Sequence, residues 1–160
     1  QTLYGGPDQT NPALKFWRFY ANHIVEWKAA DLTLALSYDI GTEHIADRPG
    51  HPRAFVTGAN LVARWHVGGP WAVALHPEVY WDRNGRWTGN EQFVKAMTTT
   101  LEYRAPYGWT NTTIRLEHRW DESTGAGGGF FRRGEIQPGV LSLTPNQHLV
   151  LLGILWTFDN

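Results

Sequence analysis

Cysteine is missing from all 160 residues, which excludes a disulfide framework and a thiolate metal site alike. Charge of one sign is missing too: 14 Lys and Arg stand against 15 Asp and Glu. Nucleic acid demands a basic face, so no nucleic-acid partner is expected. Long apolar runs are also wanting. The longest, from Leu149 to Trp156, falls well short of the roughly 18–20 residues a transmembrane helix needs. No secretory leader is visible at the start, where "QTLYGGPDQTNP" reads as loop or partial strand over residues 1–12. The chain is therefore expected to be mature, truncated or cytosolic. Helical periodicity is scarce, and 17 Gly and 9 Pro punctuate the sequence.

Aromatics, by contrast, are abundant, with 9 Trp, 6 Tyr and 7 Phe. The dominant pattern has a period of two, which signals β-strands. In "DLTLALSYDIG" the residues Leu32, Leu34, Leu36, Tyr38 and Ile40 share one face, and Asp31, Thr33, Ser37 and Asp39 share the other. Similar alternation runs through 15–28, 55–67, 71–82, 95–104, 110–121 and 147–158. The last of these is apolar on both faces, so its register is open. Glu78, Trp81 and Asp82 recur as Glu117, Trp120 and Asp121. Residues four apart on a strand share a face, so each copy sets two carboxylates against a Trp on the opposite side.

Connection lengths alternate between tight turns (28–31, 67–70, 105–110) and long links (41–54, 83–94, 122–146). Short turns at one end and long loops at the other describe an antiparallel up-and-down β-barrel of the outer-membrane type. Tryptophans near strand ends, including Trp17, Trp27, Trp65, Trp71, Trp81, Trp109, Trp120 and Trp156, suit two membrane interfaces. The fold expected is thus all-β: one domain over 1–160, seven clear strands plus a possible short eighth, with 122–146 as a long outer loop. Because bacterial single-chain barrels have even strand numbers, the chain is expected to be the C-terminal part of a larger barrel.

The stretches "ALHPEVYWDRNGRWTG", "TTTLEYRAPYGWTNTTIRLEHRWDEST" and "LTPNQHLVLLGILWTFD", in that order, resemble the C-terminal half of the OmpL-like β-barrel porins. "YGGPDQ" at 4–9 resembles the loop after an upstream strand of such proteins. The resemblance covers most of residues 4–159. It implies a bacterial outer-membrane barrel with a porin role and no catalytic residue to carry over. Two features depart from it: the chain is short, and Phe158 stands two residues before the terminus, where the family closes on Phe.

In a barrel the charged face lines the lumen. The candidate pore-lining or ligand-binding residues are Arg64, His66, His76, Glu78, Asp82, Glu102, Arg104, Arg115, Glu117, Arg119 and Asp121. Rings of charge bias which solutes pass; the plainer expectation is that these groups satisfy one another across strands. A glycosidase-like carboxylate pair, Glu78 with Glu117 and with His66 and His76 nearby, is an alternative. However, no Gly-x-Ser-x-Gly elbow, His-Glu-x-x-His or phosphate loop is present, and His118, next to Glu117 and near Ser123, is placed on the apolar face. Asp82-Arg-Asn-Gly85 reads as a turn more readily than as a calcium loop. "GAGGGFFRRG" at 125–134 reads as an outer loop, with Phe130 and Phe131 folding into the mouth. The reading is a porin-like barrel passing small hydrophilic solutes without cofactor or metal. Its partners would be membrane lipid, the assembly machinery and further copies of itself. The alternative is a soluble small barrel that binds a ligand, with the same apolar face turned inward, or a barrel hydrolase that uses the lumen Glu and His residues.

Overall fold

The computed structural model describes residues 1–7, 17–45, 48–107, 110–125, 128–137 and 140–158. Every element among them is a strand: β1 (Thr2–Pro7), β2 (Trp17–Ala29), β3 (Leu32–His44), β4 (Arg53–Gly68), β5 (Trp71–Asp82), β6 (Gln92–Tyr107), β7 (Thr110–Thr124), β8 (Phe130–Gln137), β9 (Val140–Thr144) and β10 (Asn146–Phe158). Eight of these make one sheet in the order β1-β2-β3-β4-β5-β6-β7-β10, while β8 and β9 pair with each other in the last link. All pairings are antiparallel. The up-and-down order is as expected, and the eighth strand is β1. The sheet is not closed, because β1 and β10 do not pair.

The strands are longer than the alternation alone indicated. β3 continues through Gly41 to His44, and β6 and β7 each extend beyond their apolar–polar repeats. The link read as 122–146 begins after Thr124 and carries the β8–β9 hairpin. Trp109, residues 8–12 of the N-terminal loop and the side chains of Phe131 and Phe158 lie outside the described residues.

Polarity is inverted relative to a water-soluble core. Glu43 and Asp82 are 0% exposed, and Glu102 and Asp121 are also buried, whereas Leu152 is 71% and Val150 67% exposed. Cross-strand register explains this. One face stacks Val25, Leu36 and Leu61 in a row, and Leu101, Leu116 and Leu152 in another. No second layer covers this face among the described residues, and its leucines remain exposed. The opposite face carries the alternate residues, all the charged candidates among them.

Aromatics bound the apolar band at both ends. Near the long links, Phe55 meets Trp81 edge to face at 6.0 Å, with Phe93 opposite Trp81 on the next strand. Near the short turns, Trp71 lies 4.8 Å from Tyr103. Edge-to-face and tilted ring pairs are favourable in both settings.

Link 83–91 folds back against the polar face. Gly41 lies beneath it: a Cβ there would clash with Val56 Cγ1 at 2.7 Å and would meet the Trp87 ring at an ordinary 3.5 Å. Strand propensity alone favours Val over Gly at this position. Packing has the opposite sign, since overfilling a tight contact costs about 1–3 kcal/mol. Gly41→Val is therefore expected to lower the unfolding free energy measured in detergent micelles, and a gain in stability would show that Val56 gives way to the added side chain.

Candidate functional site

The sheet curls so that Asp31, in the β2–β3 turn, and Thr157, on β10, line the same hollow with Arg64, Glu102 and Arg115; its volume is about 890 Å³. The charged face is therefore the concave one. All eleven sequence candidates lie on it, but they separate into distinct groups.

The first group centres on Glu102, a buried carboxylate on β6. Arg64 on β4 donates from Nε at 2.7 Å, and its terminal nitrogen lies 2.6 Å away. Arg115 on β7 approaches the other carboxylate oxygen through Nε at 2.9 Å. Arg64 must cross β5 to reach β6, and it does so over Ala72 and Ala74, which stand in the adjacent register positions. A larger residue there would lift the guanidinium off the sheet.

The second group repeats this device one strand further on. Arg119 on β7 donates to Glu78 on β5, passing over β6, and it also donates to Thr98 at 3.3 Å and Asp121 at 2.8 Å. Ala96 sits between Glu78 and Asp121 in the register and leaves the space. Gln147 on β10 donates to the remaining oxygen of Asp121 at 2.9 Å. Shared charge-assisted bonds of this kind are the strong ones.

Asp82 has a different task from its sequence partner Asp121. Its carboxylate accepts from the backbone N–H groups of Arg86, Trp87 and Thr88 at 3.0, 2.8 and 2.8 Å, and from the Thr88 hydroxyl. It thereby anchors the 83–91 link on the concave face. Gly85 has a φ of +65°, so the Asp-Arg-Asn-Gly segment is a turn, and its carboxylate is committed to N–H donors rather than turned toward a cation.

Besides Asp82, four candidates stand apart from the two arginine clusters: Glu117, His66, His76 and Arg104, whose backbone N–H donates to the Pro70 carbonyl at 2.8 Å. Thr100 donates to Glu117 at 3.4 Å. His66 lies 2.8 Å from the Gly69 carbonyl and 3.4 Å from Asp31. His76 Nε2 is 3.6 Å from Glu78, beyond hydrogen-bond reach, and this nitrogen has no hydrogen-bond partner among the described residues. Glu78 is bound by Arg119 and Glu117 by Thr100, so the two glutamates are held by different partners. Ser123 donates to Gln92 at 2.8 Å, while His118 is on the outer face against His148, 3.1 Å away. Among the described residues, no group of three or more His, Asp or Glu is arranged to hold a metal ion.

Sequence reasoning missed one cluster. Arg18 and Arg86 flank Glu43, which is fully buried between them, and Arg18 lies 5.8 Å from the centre of the Trp87 ring. Beside it, Tyr20 and Asn22 both donate to Asp39, at 2.5 and 2.7 Å. The signal was present in the alternation, which already put Arg18, Tyr20, Asn22 and Asp39 on the polar side. Glu43 was lost because Gly41 read as the end of β3.

Residues 1–158 match the family described as Putative beta-barrel porin-2, OmpL-like. The chain belongs to this family. Neither curated proteins nor solved structures gave a match. Family membership agrees with the antiparallel sheet and its inverted polarity, and no helix among the described residues is long and apolar enough to cross a membrane.

The Asp82 anchor gives a sharp expectation. Asp82→Ala removes the acceptor for three backbone N–H groups, and each unsatisfied donor costs about 1–3 kcal/mol where water cannot replace it. Hydrogen exchange at Arg86, Trp87 and Thr88 should accelerate by more than tenfold, while the amides of β5 and β6 keep their protection. Equal acceleration throughout the sheet would mean that Asp82 supports the fold generally rather than the link.

Proposed function

We propose that this protein is an outer-membrane β-barrel pore through which small hydrophilic solutes pass down their gradient. The observation that carries the reading is the inverted distribution of polarity: a concave face lined by ion pairs and a convex face of uncovered leucine, valine and isoleucine. A patch of that size facing water is rare in monomeric soluble proteins. Strands of 12–16 residues exceed the roughly 9–11 residues that a tilted strand needs to span a bilayer. Family membership supports the same reading.

Lipid is then the solvent of the convex face, and the unpaired edges of β1 and β10 require partners, since open sheet edges are not tolerated in hydrocarbon. Further strands or further copies of the chain supply them. Passage needs no cofactor. The charged clusters lie down along the wall rather than projecting from it, which leaves room for water and solute.

Two measurements test the reading. Reconstituted into planar bilayers, the full protein should give stepwise ohmic conductance, and liposomes containing it should swell with small sugars. Silence in both would remove the pore. Independently, Leu36→Arg should cost about 2–4 kcal/mol when refolded into bilayers, the range for a cation at the midplane of a barrel's lipid face. The same loss in plain buffer, with the protein dispersed without detergent, would show that Leu36 meets a protein core instead.

A further inference from the structure

Charge is unevenly spread over the concave face, and the hollow near the short turns is where cations outnumber carboxylates. Toward the long links, Arg18, Arg86 and Arg119 face Asp39, Glu43, Glu78, Asp82 and Asp121, so carboxylates are in excess. Toward the short turns the balance reverses. Arg64, Arg104 and Arg115 share the hollow with two carboxylates, Glu102 and Asp31. Glu102 is already held by Arg64 and Arg115, and exposed Asp31 is beside His66. Three arginines against two carboxylates leave one positive charge over.

The unused donors are specific. Arg115 meets Glu102 through Nε, and its terminal nitrogens make no hydrogen bond among the described residues. Arg104 has its backbone fixed by a 2.8 Å bond from its N–H to the Pro70 carbonyl. Among the described residues its guanidinium has neither a hydrogen-bond acceptor nor an ion-pair partner. Thr113 stands directly opposite Arg104 in the register. Like charges gathered in a concave wall raise one another's energy unless an anion joins them. Guanidinium groups match carboxylate and phosphate oxygens two at a time. A volume of about 890 Å³ is in the size range of small-molecule sites.

We propose that Arg104 and Arg115, with Thr113, form a binding site for small oxyanions at the short-turn end of the concave face, and that the solutes handled there carry a carboxylate or phosphate group. The site builds on the pore reading but stands on its own geometry. Glu102 holds Arg64 and Arg115 flat against the wall, and Arg104 is the group that an incoming anion gains. The acidic end imposes no such preference, so the selection is local to this hollow.

The test uses the full protein in detergent micelles. Succinate and inorganic phosphate are titrated separately, at ionic strength held constant with sodium chloride, and the unfolding temperature is followed. A ligand that binds only the folded state raises it in a saturable manner. The wild type should show this with at least one probe, and the probe that acts identifies the oxyanion class. Arg104→Gln should weaken the apparent affinity by about tenfold, and Arg104→Lys, which keeps charge but loses the fork, by less. Lys28→Gln, a loss of one positive charge on the exposed Lys28–Glu26 pair, should change it less than twofold. No saturable rise with either probe overturns the proposal. So does an equal loss in Lys28→Gln and Arg104→Gln, which would mean that only net charge matters. In bilayers, the active probe should reduce wild-type conductance and leave the Arg104→Gln channel unaffected. Conductance with no anion effect in either protein overturns the site and spares the pore. Saturable, Arg104-dependent stabilisation without conductance upholds the site and removes the pore.

Discussion

Backbone pairing is the constraint on which the rest of the molecule depends. In hydrocarbon an unpaired N–H or C=O costs several kcal/mol, and only closed hydrogen-bonded systems cross it. A strand that must pair on both edges has just its two faces left for side chains, and alternation assigns one to the convex side and one to the concave side. The long strand ladders from β2 to β10 meet that demand at every interior strand. Buried acids and exposed leucines are then two consequences of the same geometry, because the sheet supplies its own backbone partners and needs no packed second layer.

Charge on the concave face is made tolerable by what lies beneath it. Arg64 spans β5 above Ala72 and Ala74, and Arg119 spans β6 beside Ala96 and Thr98. Small residues at those positions let long cationic side chains lie along the wall and satisfy acids two strands away. Without that clearance Glu102 would keep Arg115 but lose Arg64, and a buried carboxylate short of a partner is strongly unfavourable. Small residue and ion pair therefore form one unit. A methyl group on β5 or β6 contributes to the pairing of charges it never touches.

Much of this was readable from the sequence, for a definite reason. Period-two alternation sorts residues by face without reference to neighbours, so Glu78, Glu102, Arg115, Arg119 and Asp121 could be placed together before any pairing was known. What alternation does not contain is partner identity or strand end. Gly41 resembles a terminator, yet it is a clearance for Val56, and the misreading hid Glu43. Asp82 and Asp121 occupy equivalent positions in a repeated motif, but one anchors a link through backbone N–H groups and the other binds Arg119. The difference depends on what the chain does after the motif. Similarly, the β8–β9 hairpin lies in a stretch whose glycines read as loop, and its pairing emerges only from contacts between β8 and β9.

The ambiguous register of the last strand has a structural resolution with a consequence for the charges. β10 pairs so that Leu149 stands opposite Arg119, Leu151 opposite Glu117 and Leu155 opposite Thr113. Those leucines lie on the concave side, while Val150, Leu152 and Ile154 lie on the convex side. A guanidinium that leaned toward β10 would meet hydrocarbon and lose hydration without gaining a partner, at a cost that an ion pair on the other side avoids. Arg115 and Arg119 accordingly turn the other way, back over β6 to Glu102 and Glu78. Gln147, at the polar beginning of β10, is the residue of that strand that reaches the network, through Asp121. An apolar margin thus steers the arginines inward along the sheet, and both charged clusters are assembled over β5 and β6 rather than at the open edge.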